Sequence, residues 1–348
     1  MVVVATARLM ALESTADPSR GYDWIVKLHS STVAQNLSRT SVGPSALITT
    51  YYQFEGMWIF RRWLGVQTEI EGGQVIGENQ DTQLGVNLGS QWKTNEMQEA
   101  SRHYVPVLAL IGSTPAKLLS WKIGKISSES FFDDNRGARA KRTKFLSTPL
   151  SKTAAVSFGP KGLGGSLTWS PNQHTSVTVL GSDANARETL TGFATWRGEW
   201  FTAAEVTLRP SSNPEHAAVR ILGWSTTRHG VHDGGCSISA DYEMAPKLVG
   251  FARLGTGSSA FARTSNLLSG GIGWEAPFGR KADFFGAGVT WGEPVKHNAR
   301  IEVLSEIVYR WQLTQHLALS PDLQLVHHPA NSNVSSAVVT GLRCAIAY

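Results

Sequence analysis

Cysteine is nearly absent. Two residues, Cys236 and Cys344, in a chain of 348 leave no disulfide framework and no cysteine spacing of the kind that holds zinc. Charge is also scarce. Asp, Glu, Lys and Arg supply 17% of the residues, below the roughly 25% of ordinary soluble domains. The apolar share of 41% is not raised to compensate. No apolar run approaches the roughly 18–20 residues of a membrane-spanning helix; the longest lies at Val105–Ile111. The opening "MVVVATARLM" has an apolar patch without a basic start before it, which makes a poor signal peptide. No GxSxG, HExxH or P-loop occurs, so neither an enzyme nor a cofactor site is expected.

What fills the composition instead is Gly (34 residues), Ser, Thr and Trp (12 residues), a mixture suited to strands and turns. The formal charge of +5 fits either anionic partners or a mixed surface. Nothing points to nucleic acid.

The segment "IEVLSEIVYRWQL" from Ile301 alternates strictly. One face carries Ile301, Val303, Ile307, Tyr309 and Trp311; the other carries Glu302, Glu306, Arg310 and Gln312 among apolar residues. The pattern returns at Leu317–Val326, with Leu319, Leu323 and Leu325 opposite Ser320, Asp322 and Gln324, and again in the last residues, where Tyr348 ends the chain. Upstream, similar segments lie at Ala282–Trp291, Leu267–Glu275, Leu248–Leu254, Gly235–Glu243, Ala217–Trp224, Glu199–Arg209, Thr175–Gly181, Leu163–Trp169 and Lys152–Phe158. Arg102–Lys125 reads as a hairpin turning at Gly112–Ala116, Thr82–Trp92 as a strand, and Phe54–Gly65 as a short helix or part of a strand. Strand parity asks for one more near Ala140–Thr148, with Ile126–Arg139 a long loop.

Short polar connections (Thr314–His316, Pro277–Lys281, Met244–Pro246, Pro210–Glu215, Pro171–His174) alternate with longer ones (Pro329–Ser336, Glu293–Arg300, Thr256–Asn266, Ser225–Gly234, Ser182–Gly198). This sorting predicts an all-β fold: a transmembrane antiparallel β-barrel of about 16 strands, with short periplasmic turns and longer extracellular loops. Residues 1–20 read as a remnant leader or disordered N-terminus, and 21–348 as a single barrel domain. A soluble two-sheet sandwich, acting as a binding module, would alternate in the same way and stands as the alternative.

In a closed barrel the outward face meets hydrocarbon and the inward face meets water once the barrel is wide. Glu302, Glu306, Arg310, Asp322, Gln324 and Glu205 are therefore expected to line a wet lumen, with Arg102 and Lys122 on inward strand faces. Arg310 and Glu306 could pair, either to hold a solute in the lumen or to brace the wall. "SSESFFDDNRGARAKR" (Ser127–Arg142) either folds inward, with Asp133, Asn135, Arg136 and Arg139 at a constriction, or is a solvated outer loop. Tyr309, Trp311, Trp291, Trp169 and Tyr348 suit the membrane interface. His229, His232 and Asp233 form an HxxHD cluster that is a polar loop or, less in keeping with its isolation, a metal site; His327 and His328 mark a rim. Cys236 and Cys344 are expected outward, facing lipid and unpaired.

The tail resembles the carbohydrate-selective porins of the OprB type in Glu306, Tyr309, Arg310, Leu313, Thr314, Pro321, Asp322, Leu323, Gln324, His328 and Pro329. Further similar pieces, in family order, are "WKIGKISSESFFDDN", "TKFLS", "GLGGSLTWSP", "GSDANA", "LVGFARLG", "SGGIGW" and "GRKADFFGAGV". The resemblance implies a 16-stranded barrel in the bacterial outer membrane, a homotrimer or a monomer, that passes small sugars by facilitated diffusion without catalysis. Gln315 stands where the family often has Pro, and Asp133–Arg142 is more basic than the family pattern. A general or anion-preferring porin therefore remains open.

Overall fold

The computed structural model describes residues 23–61, 63–76, 82–98, 103–187, 192–195, 197–210, 214–258, 261–296 and 298–348. The expectations for residues 1–20 and for Arg102 lie outside them. Sixteen strands make one closed sheet: β1 (Asp23–Leu37), β2 (Ala46–Arg61), β3 (Leu64–Ile76), β4 (His103–Ser113), β5 (Leu119–Ile126), β6 (Gly162–Asn172), β7 (Thr175–Asp183), β8 (Trp200–Leu208), β9 (Ala217–Arg228), β10 (Val231–Ala245), β11 (Leu248–Gly257), β12 (Thr264–Glu275), β13 (Phe284–Pro294), β14 (Glu302–Gln312), β15 (Leu317–His327) and β16 (Ser336–Ala347). Every strand pairs antiparallel with its sequence neighbours, and β1 pairs with β16 to close the barrel. Closure pairs every strand on both sides, which a sandwich with open edges cannot do. The sandwich alternative is thereby excluded.

Period-2 alternation is why these segments are strands. On β14, Glu302, Leu304, Glu306 and Val308 are buried inward, while Ile307 and Trp311 are exposed outward. The outer surface is an apolar band that includes Val26, Ile70, Leu110, Ile221, Leu254, Ile307 and Leu323. Where the short turns lie, exposed aromatics ring the barrel: Trp24, Trp58, Trp169, Tyr242, Trp311 and Tyr348. Such rings favour the boundary between hydrocarbon and water. No helix among the described residues is long and apolar enough to cross a membrane. Cys236 and Cys344 lie on the outer face and are unpaired.

The expected count of sixteen holds, but three of its members differ. Thr82–Trp92 is not a strand: it holds a five-residue helix, α1 (Leu84–Leu88), and continues into the lumen. Ala140–Thr148 and Lys152–Phe158 are not strands either. Both belong to the connection between β5 and β6, residues 127–161, which contains a 3-10 turn at Ser128–Phe131 and a single helical turn, α2 (Thr148–Ser151). The missing three are β1, β2 and β3. Phe54–Gly65 spans the end of β2 and the start of β3. Ser225–Gly234 is not a long loop: β9 and β10 run on to a tight turn at His229–Gly230.

Candidate functional site

The site is the lumen, and its shape comes from two segments that leave the wall and fold inward. The longer, residues 127–161, is held by strands from halfway round the barrel. Glu306 on β14 accepts the backbone N–H groups of Leu146 (2.6 Å) and Ser147 (3.0 Å). Arg343 on β16 donates to the carbonyls of Lys141 (2.8 Å) and Lys144 (2.9 Å). Arg253 on β11 pairs with Asp133 at 2.8 Å and donates to the Leu150 carbonyl at 3.0 Å. Glu205 on β8 accepts the Asp133 N–H at 2.8 Å, and Asn135 donates to Ser239 on β10 at 3.1 Å. Buried carboxylates and guanidinium groups thus satisfy an irregular backbone that has no strand partner, which is what allows such a loop to sit inside a barrel.

Apolar packing completes the docking. Phe145 meets Phe251 and Phe284 edge-on at 5.7 and 6.4 Å. The wall beneath is hollowed by glycines on β12 and β13. A Cβ at Gly273 would lie 2.5 Å from the Gly137 carbonyl oxygen, at Gly286 2.9 Å from the Phe145 ring, and at Gly288 2.8 Å from a Leu150 methyl. The glycine-rich "SGGIGW" and "FFGAGV" are therefore a socket for the loop.

The shorter segment, residues 82–98, uses the same device. Glu302 accepts the N–H groups of Gln91 and Ala330, both at 2.9 Å, and the Ser90 hydroxyl. Gln35 and Gln324 both donate to the Thr94 carbonyl, at 3.1 and 2.8 Å. Trp92 donates to Thr264 at 3.0 Å. The two segments join where Lys152 lies 2.6 Å from Glu96 and 3.0 Å from Glu129. Burial pushes Glu96 upward, but Lys152, Lys93 and Lys141 outweigh it and hold the carboxyl at about 2. Lys152 likewise holds Glu129 well below the usual carboxylate range.

The charged side chains that keep solvent access mark the aqueous passage. On the loop they include Asp134, Arg136, Arg139 and Arg142; on the wall, Lys27 and Glu55, which pair at 3.2 Å. Arg136 meets Asp241 at 2.9 Å, Arg139 meets Asp134 at 3.5 Å, and Arg142 lies 3.7 Å from Glu71. Glu71 also accepts the phenols of Tyr51 and Tyr104, both at 2.7 Å. Lys122 reaches over the Phe131 ring at 4.9 Å. Acids and bases are paired along this lining, so it carries hydrogen-bond donors and acceptors side by side.

Several expectations are corrected by this arrangement. Glu302, Glu306, Glu205, Asp322 and Gln324 point inward, but each is at most 5% exposed. Glu302, Glu306, Glu205 and Gln324 hold inward-folded backbone, and Asp322 accepts from Gln324 at 2.8 Å. Asp133 and Asn135 are anchors too. Arg310 does not pair with Glu306. It donates to the Ala282 carbonyl at 2.7 Å, because the loop backbone has taken the Glu306 carboxylate. Arg136 and Arg139 remain half-open to the lumen. His229, His232 and Asp233 do not converge: Asp233 accepts the N–H groups of Phe261 (2.6 Å) and Ala262 (3.1 Å), and His232 meets Thr227 at 2.8 Å. Among the described residues, no group of three His, Cys, Asp or Glu side chains could hold a metal ion.

Reading the strands missed Arg253, Arg343, Glu96, Lys152 and the glycine socket. A signal existed for two of them. Arg253 and Arg343 occupy inward positions between small or apolar residues, where an arginine needs a partner from elsewhere.

The family model described as "Carbohydrate-selective porin, OprB family" matches residues 165–348, just over half of the chain. No curated protein matches. Among solved structures, Pseudomonas putida OprB in its high-pH form has 13% identity and a TM-score of 0.76, over 99% of this chain and 96% of that one. A variant of Rh. blastica porin has 8% identity and a TM-score of 0.59, over 94% of this chain and all of that one. At these identities the structures share the fold. With the family's sequence in its second half and a sixteen-stranded barrel narrowed from within, the chain belongs to the OprB family of carbohydrate-selective porins.

Proposed function

We propose that this porin lies in the bacterial outer membrane and passes small neutral sugars by passive diffusion. Arg136, Arg139, Lys122 and Arg310 touch the solute in transit. The observation that carries the reading is the mixed-sign lining of a passage narrowed by residues 127–161. A sugar needs its hydration replaced in part, by groups weak enough to release it. Single-channel conductance, titrated with mono- and disaccharides, tests this. Saturable block by sugar supports it; conductance untouched by sugar overturns it.

A second reading, an anion-preferring pore, is favoured by one observation. The stretch Arg136–Lys152 carries Arg136, Arg139, Lys141, Arg142, Lys144 and Lys152 without an acidic residue among them. A reversal potential biased toward anions, together with sugar insensitivity, would select it.

We also propose a homotrimer. On the outer face Thr32, Thr50 and Gln74 stand side by side, next to Ser30, Tyr52 and His103. Apolar rows flank them on both sides: Ala34, Ile48 and Ile76, and Leu28, Phe54 and Ile70. Polar groups inside an apolar band are costly against lipid and are better covered by protein. Cross-linking in native membranes that yields monomers alone would refute this.

A further inference from the structure

Each inward segment has its own anchors on the wall, and the two also grip each other. Glu96 N–H donates to the Leu146 carbonyl at 2.7 Å, and Thr148 N–H donates to the Lys93 carbonyl at 3.1 Å. Beside this pair of bonds, Lys152 bridges Glu96 of the shorter segment and Glu129 at the start of the longer one. Two carboxylates, one from each segment, therefore converge on one ammonium group. The base of Lys152 is fixed, because it follows α2, whose Leu150 is buried in the glycine socket. Its head is not sealed. The Lys152 side chain is 29% exposed and that of Glu129 28%, so the clasp borders the water of the passage.

Remove the ammonium and two carboxylates face each other across the gap between the segments. Lys141 would be the cation left near both. Like charges at short range, partly shielded from water, repel. The wall anchors (Glu302 for one segment, Glu306 and Arg343 for the other) do not involve Lys152, so the segments can part while the barrel stands.

We infer that Lys152 is a positioning residue for permeation: by joining Glu96 to Glu129 it holds the two inward segments together and so sets the largest sugar that the lumen admits. This rests on the sugar-diffusion reading above. It assigns the size limit to the contact between segments, away from the residues that touch the solute.

Proteoliposome swelling with neutral sugars of graded size, for wild type, Lys152→Met and Lys152→Arg, tests the inference. Lys152→Met should raise the trisaccharide-to-monosaccharide rate ratio by at least about threefold. Lys152→Arg should restore the wild-type ratio, since a guanidinium can span both carboxylates. The folded barrel's heat-modifiable gel mobility should be the same in all three. An unchanged ratio in folded Lys152→Met overturns the inference. If that variant does not fold, Glu96→Gln weakens the arm of the clasp that crosses from one segment to the other; the ratio must rise there, or the inference fails. Should wild type conduct ions yet pass no neutral sugar, the diffusion reading falls by itself. The clasp is then judged by conductance in polyethylene glycols of graded size, whose cut-off must still move in Lys152→Met.

Discussion

Glu306→Ala tests how the constriction is held. In the wild type its carboxylate accepts two backbone N–H groups, Leu146 at 2.6 Å and Ser147 at 3.0 Å, at a site with no solvent exposure. A hydrogen bond to a charged acceptor contributes about 1.5–3 kcal/mol, and each donor left buried without a partner carries a similar penalty. The loop keeps Arg343 on the Lys141 and Lys144 carbonyls and Phe145 in its aromatic socket, so the low end of the range applies. Two bonds then loosen the docking by about 3 kcal/mol, a rise of about a hundredfold in the undocked population. The assay is trypsin digestion of the folded protein in detergent, because Lys141, Arg142, Lys144 and Lys152 are all cleavage sites in the segment released. When opening is fast relative to cleavage, the cleavage rate follows the open population. Gel mobility without heating reports that the barrel itself is intact. Glu306→Gln, which keeps one carbonyl acceptor, should fall between. Folded Glu306→Ala cut no faster than wild type within 141–152 would refute the reasoning.

Other expectations follow from neighbouring features. Glu302→Ala should free the shorter segment and expose Lys93 to trypsin while leaving 141–152 protected, so the two carboxylates four residues apart on β14 are separable by peptide mapping. Gly273→Ala places a methyl 2.5 Å from the Gly137 carbonyl oxygen, where backbone cannot yield cheaply. About 1–3 kcal/mol of overpacking should undock the loop with the same proteolytic signature as Glu306→Ala. The clasp should be insensitive to mild acid. Glu96 and Glu129 are held below their ordinary values, so their contribution is complete above the unfolded carboxylate range and is lost as pH falls through the folded values, about 2 for Glu96. The difference in size cut-off between wild type and Lys152→Met should therefore persist from pH 7 to roughly pH 4 and fade only below it; its loss near pH 6 would exclude these two carboxylates as its origin.

Much of the wall was legible because it has two unlike faces. On β14 and β15 one side meets lipid and the other meets the lumen, and Ile307 against Glu306 or Leu323 against Asp322 records the difference directly. The inward segments have no such contrast. Leu84, Leu88 and Trp92, or Leu146, Leu150 and Val156, are buried because protein surrounds them on every side inside the barrel. Their apolar spacing imitates a strand without a lipid face behind it, so the pattern predicts three strands where none exists. The same cause hid the role of the lumenal acids. Alternation tells that Glu302 and Glu306 point inward. It is silent on whether they meet water or the backbone of a loop that arrives from 150 or more residues away in sequence. The roles of Arg253 and Arg343 are hidden for the same reason, since their partners belong to a segment whose path has no periodic signature.

The anchors of residues 127–161 also carry a statement about order in time. The loop is made between β5 and β6, yet it docks on Glu205, Ser239, Arg253, Glu306 and Arg343, on β8, β10, β11, β14 and β16. When the loop leaves the ribosome none of these five wall partners has been synthesised, and the last belongs to the strand that pairs with β1. The narrow part of the pore therefore cannot mature ahead of its wall. Closure of the first strand on the last and seating of the loop depend on contacts of long sequence separation, which are slow to form. A barrel interrupted before its final strand would be an open sheet with an unseated loop, and it would have no selective passage at all.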